Sequence, residues 1–242
     1  MTPPAFPLVD HESRVTSHGV FVTGTDTGVG KTLVSCALLA AIAARGIKVV
    51  GMKPVAAGAE RSQEGWRNDD VVALRAAGNV EAPASEVNPY CFAPAIAPHL
   101  AAQEAGVVID SAVIGRAYRA LTRRAEVVVV EGAGGFLVPL APGYDMSALG
   151  QQLALPVILV VGLRLGCLNH ALLTALAIRS RGLRLAGWVA NHVEPQMARA
   201  EENVRSLAAD LDAPLLGRVP HGASVADAAS ALHIGTLLAS VR

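Results

Sequence analysis

Aromatic residues are scarce in this chain: Phe, Tyr and Trp make up 4% of its 242 residues, against 52% for hydrophobic residues as a whole. A core with few bulky rings is built from Ala, Val and Leu, the composition of parallel strands covered on both faces by helices. Cysteine is scarce too. The three thiols, Cys36, Cys91 and Cys167, are odd in number and widely spaced. That excludes a disulfide framework and a zinc-ligand spacing, and leaves them as small buried hydrophobes. Charge of one sign is not in excess, since twenty basic residues balance twenty acidic ones. Nothing offers a polyanion the basic surface it needs, so nucleic acid is not expected as a partner. No apolar run is long enough to span a membrane, and no membrane partner is expected either. Residues 1–17 carry Pro3, Pro4 and Pro7 among mixed polar residues, without the basic start and apolar middle of a secretory signal. They are expected to form a disordered extension ahead of one α/β domain over 18–242, in a soluble, cytoplasmic protein.

What the chain does have is a glycine loop, Gly24-Thr25-Asp26-Thr27-Gly28-Val29-Gly30-Lys31-Thr32. An apolar run leads into it and an Ala/Leu-rich helical pattern leaves it, the strand, loop and helix order of a nucleotide phosphate site. Glycines let backbone N–H groups converge on phosphate oxygens, and the helix turns its positive end to the same anion. Lys31 adds a full charge, and Thr32 has a hydroxyl suited to a magnesium ion. The spacing is irregular. Five residues separate Gly24 from Gly30 where the usual pattern has four, so Thr25 stands at the position of the first glycine. An ordinary glycine turn before a helix is the bland alternative; Lys-Thr directly after Gly30 favours nucleotide binding.

Short apolar runs recur along the chain, at Phe21–Thr23, Val49–Met52, Val127–Val130, Val157–Val161, Ala186–Ala190 and Leu215–Val219. Helical patterns separate them at about 33–45, 111–124, 168–181 and 195–211. The alternation predicts a doubly wound, mostly parallel α/β sheet of the P-loop NTPase type. Segment 54–110, rich in Pro, Ala and Gly, is expected to give loops and one helix at about 69–77. Ligands in such sheets bind beyond the C-terminal strand ends, so the residues there are the ones to read for chemistry.

Lys53 follows the second strand and is pinned by Pro54. A buried ammonium needs an anion, although a lysine snorkelling at a sheet end is the simpler account. Asp69 and Asp70 open a helix, where capping and dipole compensation compete with a metal-ligand role. Glu131 ends the valine strand, at the position where P-loop proteins hold Mg2+, and Gly132, Ala133, Gly134 and Gly135 keep bulk away behind it. Asn169 lies at the start of a helix, as an anion donor or a simple cap. Asn191 ends the fifth strand and presents a donor and an acceptor on one fork, complementary to an adenine edge. His192 beside it reads as a surface residue.

Together the blocks FVTGTDTGVGKT, KPVAAG, RNDD, NPYCFAPAIAPH, VEGAGG, PVILVVGLRLGCLNHALLT, LAGWVANHV and APLLGRVP resemble the dethiobiotin synthetases, over about Val20 to Leu238. The five-residue glycine spacing is a hallmark of that family. The resemblance implies an ATP-dependent ligase of biotin synthesis. CO2 adds to an amine of 7,8-diaminononanoate, the carbamate takes the ATP γ-phosphoryl group, and the second amine closes the ring to release dethiobiotin, ADP and phosphate.

The resemblance also assigns residues. It gives phosphate binding to Lys31 and the backbone from Gly28 through Val29, Gly30 and Thr32 to Leu33, and Mg2+ to Thr32, Asp70 and Glu131. Lys53 becomes the second active-site lysine and Thr27 a contact at the phosphate and carbamate site. Gly132, Ala133 and Gly134 lie with Glu131 at the nucleotide. Asn191 and His192, with Pro220, His221, Gly222 and Asp227, surround base and ribose. A homodimer is implied, in which the neighbour's loop at Leu165, Gly166 and Asn169 receives the substrate carboxylate. Three positions depart from the family pattern. Ala57 replaces a serine near the substrate, His192 an Asp of some members, and His221 an aromatic residue of others. Two other readings share the fold: an amidoligase of the cobyrinic acid diamide synthase type, and an ATP switch like ParA or MinD. The cysteines lack a glutaminase context, and Thr25 and Asp26 stand where such switches carry a lysine.

Overall fold

Four consecutive valines, Val127 to Val130, begin the longest strand of the computed structural model, which describes residues 19–63 and 65–241. The expected extension over 1–17 lies outside those residues. In chain order the elements are β1 (Gly19–Gly24), α1 (Lys31–Ala43), β2 (Val49–Met52), β3 (Val55–Ala57), β4 (Glu60–Ser62), β5 (Gly65–Arg67), α2 (Asp69–Ala77) and α3 (Ala84–Val87). Then come β6 (Tyr90–Phe92), α4 (Pro98–Glu104), α5 (Ser111–Thr122), β7 (Val127–Gly135), β8 (Pro139–Ala141), β9 (Tyr144–Asp145) and α6 (Met146–Leu153). The last third holds β10 (Val157–Gly162), α7 (Cys167–Ser180), β11 (Leu185–Asn191), α8 (Ala200–Asp210), β12 (Leu215–Val219), α9 (Val225–Ser230) and α10 (Gly235–Val241).

Six strands form the main sheet in the order β12-β11-β10-β1-β7-β2, all parallel. This is the doubly wound α/β fold the alternation predicts. Side chains alternate between its faces. Val128 and Val130 join Ile114, Leu149, Ala171 and Val204 on one side. Val127 and Val129 join Leu38, Ile158, Ala228 and Leu237 on the other. The chain leaves β1 toward β2 on one flank and later enters β10 on the other. The crevice at that reversal opens at the C-terminal ends of β1 and β10, and the glycine loop sits there.

At the sheet edge, Asn79 covers β2. Its N–H donates to the Val49 carbonyl at 3.1 Å and its side-chain oxygen accepts from the Val49 N–H at 2.8 Å. An asparagine thereby takes up the outward-facing backbone groups of Val49, as a neighbouring strand would.

Segment 54–110 differs from expectation. It holds three helices, α2, α3 and α4, a parallel β3–β6 pair and an exposed β4–β5 hairpin. Elements of three to seven residues repeat no hydrophobic period long enough to read. Helix α8 begins at Ala200, later than expected, after Arg199 in the left-handed region at φ 58°. Cys36 and Cys167 are buried as expected, whereas Cys91 is only half-buried. Burial pushes the Cys36 thiol up to about 12, with Glu131 and Asp70 adding to it, so this residue is an inert core group.

Candidate active site

The C-terminal strand ends bring together four segments that are far apart in sequence. The β1–α1 loop supplies Thr27, Gly28 and Gly30, and the first turn of α1 supplies Lys31 and Thr32. Lys53 follows β2, Asp70 lies in the first turn of α2, and Glu131 lies within β7. They line a cavity of about 700 Å3 together with Ala57, Ala133 and Gly134.

Charge is concentrated at its floor. Lys31 and Lys53 are 7% and 5% exposed, and Glu131 is fully buried. Lys53 Nζ donates to Glu131 Oε1 at 2.7 Å and also to Asp70 Oδ2. Thr32 donates its hydroxyl to the same Glu131 oxygen at 2.9 Å. Burial opposes the charge on Lys53, but Glu131 and then Asp70 outweigh it and hold its pKa above the ordinary lysine value. Asp70 shows the converse. Burial works against the carboxylate, and the Lys53 charge with its hydrogen bond holds the pKa below the usual range. For Lys31 burial prevails over Glu131 and lowers its pKa, and among the described residues its ammonium donates to the Asp26 carbonyl alone, at 3.0 Å. A buried cation with so weak a partner is a ready acceptor of an anionic ligand.

Asp69 and Asp70 part company here. Asn68 caps α2, accepting from the Val71 N–H at 3.3 Å, and Asp69 is exposed beside Arg67. Asp70 is thereby free of capping duty and turned to Lys53.

Asn191, 5% exposed, lies under the glycine loop, donating from Nδ2 to the Val29 carbonyl at 2.8 Å. His192 and His221 adjoin it, the ring Nδ1 of His221 lying 3.3 Å from the His192 carbonyl oxygen. Pro220, His221 and Gly222 are exposed around this corner. Asp227 is engaged in a capping box with Ser224 that starts α9. Leu33 and Gly132 do not line the cavity, Leu33 packing half-buried against the core and Gly132 lying buried in β7, and Val29 is buried in the loop.

Leu165, Gly166 and Asn169 do not line this cavity. They lie exposed at the start of α7, and Leu165 is 97% exposed. Asn169 makes no capping bond; Gly166 is the N-cap, in the left-handed region at φ 95°. Opposite the charged floor, Ala95, Ile96, Ala97, Pro98 and Val138 complete the cavity with an apolar wall. These residues carry no chemistry of their own, so nothing in the sequence marks them individually.

A glycine loop between a buried strand and a helix, followed by Lys-Thr and faced by a carboxylate on the adjacent strand, defines a P-loop nucleotide-binding protein. A family model described as AAA domain matches residues 18–229. The fold is similar to that of MinD in the Aquifex aeolicus MinC:MinD cell division complex, with a TM-score of 0.55 and 16% identity over 90% of this chain and 87% of that one. The signal recognition particle receptor FtsY of Elizabethkingia anophelis gives a TM-score of 0.52 at 17% identity, over 96% of this chain and 67% of that one. At such identity these likenesses speak for the fold alone.

Sequence relatives go further. The ATP-dependent dethiobiotin synthetase of Aromatoleum aromaticum is 53% identical over 216 residues, covering 88% of this chain and 96% of that protein. That of Nitrosospira multiformis is 57% identical over 203 residues, covering 84% and 88%. That of Janthinobacterium sp. is 54% identical over 218 residues, covering 88% and 92%. The chain belongs to the ATP-dependent dethiobiotin synthetase family.

Proposed function

We propose that this protein catalyses the ATP-dependent conversion of 7,8-diaminononanoate and CO2 to dethiobiotin, with release of ADP and phosphate. The observation that carries this reading is the convergence of Lys31, Thr32, Lys53, Asp70 and Glu131 on one cavity in a chain of this family. Carbamate formation and phosphoryl transfer both gather negative charge, and two buried lysines, of which Lys53 is already held by Glu131 and Asp70, stabilise it at little reorganisation cost. Lys31 and the loop N–H groups hold the β- and γ-phosphates. Lys53, already anchored by Glu131 and Asp70, faces the carbamate and the phosphoryl group in transit. Thr27, at the cavity rim, contacts the same groups. Asn191 offers its free amide oxygen and second N–H to the base.

The site also fits a magnesium ion. Glu131 Oε2 is buried without a hydrogen-bond partner, an oxygen left open for a cation. Among the described residues, no group of three or more His, Cys, Asp or Glu is gathered for a metal. Two carboxylates and a hydroxyl suit Mg2+, which keeps waters and takes its remaining ligands from phosphate. Thr32, Asp70 and Glu131 would hold it, and it would supply charge neutralisation at the transferring phosphoryl group.

The apolar wall of Ala57, Ile96 and Val138 suits the aliphatic part of the substrate. Ala57 brings a methyl group and no hydroxyl, so the diamine is held there by shape. The carboxylate end needs a partner of its own, since both cavity lysines are given to the phosphates and the carbamate. Leu165, Leu173 and Leu176 are 97%, 56% and 64% exposed along the start and one face of α7, an apolar surface that supports a homodimer. In such a dimer the loop at Leu165, Gly166 and Asn169 serves the neighbouring cavity.

The test is direct. Purified protein is given ATP, Mg2+, bicarbonate and 7,8-diaminononanoate, and the product is identified by mass. Dethiobiotin is expected. ATP hydrolysis indifferent to the diamine would instead indicate a nucleotide switch.

A further inference from the structure

Asn191 does something in this fold that reading a base does not require. Its Nδ2 is bonded to the carbonyl of Val29, 162 positions earlier in the chain and at the crest of the glycine loop. The fit is tight. Gly30 takes φ 88°, and a Cβ built on it would lie 2.1 Å from Asn191 Nδ2. Val29 is fixed from its other end as well. Its side chain is 1% exposed, wedged between two strand ends. A Cβ on Gly24 would meet one Val29 methyl at 2.6 Å, and a Cβ on Gly162 the other at 2.9 Å. The Val29–Gly30 peptide is thus held by its side chain from β1 and β10 and by its carbonyl from β11.

That peptide carries the Gly30 N–H, one of the donors a phosphate at this loop would meet. Gly30 has no Cβ to restrict rotation, so its neighbours must set the direction of the N–H. An amide side chain has two N–H donors and one acceptor oxygen. One N–H is spent on Val29, and the other N–H and Oδ1 remain for a ligand.

We infer that Asn191 is a positioning residue for the phosphate loop, fixing the Val29–Gly30 peptide so that base recognition and phosphate binding are joined through one side chain. The inference rests on the phosphate-loop reading above. It makes Asn191 matter to a ligand with no base at all. Losing its N–H leaves a buried carbonyl unpaired and frees the Gly30 peptide to turn.

Inorganic tripolyphosphate with Mg2+ is such a ligand. Calorimetry with Mg2+–tripolyphosphate and with Mg2+–ATP is compared between the wild type, Asn191→Ala and Asn191→Leu. Leu fills the amide's volume without a donor, so a poorly folded Ala variant does not decide the matter; melting curves check both. The expected result is a loss of about tenfold in affinity for both ligands, and a similar fall in kcat at saturating ATP. A base reader alone would raise KM for ATP and leave kcat untouched. Weaker ATP binding with unchanged tripolyphosphate affinity and unchanged kcat would overturn the inference. A wild-type protein that binds neither ligand would overturn the phosphate-loop reading itself, and this inference with it.

Discussion

Lys53 holds Glu131 by one carboxylate oxygen, at 2.7 Å, while the other oxygen of Glu131 is buried and unpartnered. The ammonium is thereby oriented, and half of the carboxylate is left for a cation. A lysine so anchored contributes mainly where charge develops. Lys53→Ala is expected to lower kcat by about a hundredfold or more while ATP affinity stays within a few-fold. Lys31→Ala, by contrast, is expected to weaken ATP binding itself. Steady-state kinetics and calorimetry on the two variants separate the roles, and near-normal turnover in Lys53→Ala would remove Lys53 from the mechanism.

The free oxygen of Glu131 makes a second prediction. Glu131→Gln keeps the shape and removes the charge, so the apparent Mg2+ affinity in the presence of ATP is expected to fall by at least about tenfold. The thermal stabilisation that ATP gives the wild type should then cease to depend on Mg2+. A variant with wild-type Mg2+ dependence in both measurements would exclude Glu131 as a ligand.

Much of this was legible from the residues, for a physical reason. Buried parallel strands write themselves as continuous apolar runs, and β2, β12 and the short α2 keep the bounds read from the sequence. Lys53 and Glu131 come level because Met52 pairs with Val130, but Glu131 does not end its strand as expected, since β7 runs on through the glycines to Gly135. Asp70 was ambiguous from its position alone, because capping and metal binding demand the same residue type there, and only the family resemblance chose between them; in the fold Asn68 takes the cap. The wall from Ala95 to Pro98 stayed hidden because Ala, Ile and Pro look the same in any loop. The Asn191–Val29 bond stayed hidden because it joins positions that only the sheet order brings together.

The exposed leucines of α7 carry a third prediction. Leu173 and Leu176 are three positions apart and lie on one helix face. Leu173→Glu with Leu176→Glu should convert a dimer to a monomer in sedimentation. On the proposed dimer, the apparent KM for the diamine should rise as well, because the loop from Leu165 to Asn169 would be withdrawn from the neighbouring site. A wild type that sediments as a monomer at working concentration, with full activity, would refute the shared site.

The last prediction concerns stability and lies away from the chemistry. Tyr118 on α5 is 8% exposed, and its hydroxyl is buried with no hydrogen-bond partner. An unpaired buried hydroxyl is a cost, so Tyr118→Phe is expected to stabilise the fold by up to about 1 kcal/mol at neutral pH. Burial also pushes the Tyr118 pKa up to about 12, against about 10 in the unfolded chain. The folded form therefore keeps its proton over a range where the unfolded form loses one. Stability is unaffected below about pH 10 and falls as pH rises toward 12. In Tyr118→Phe this titration is gone, so its unfolding midpoint in urea should decline less steeply over that range than that of the wild type. Parallel curves for the two proteins would mean that another group governs the alkaline transition.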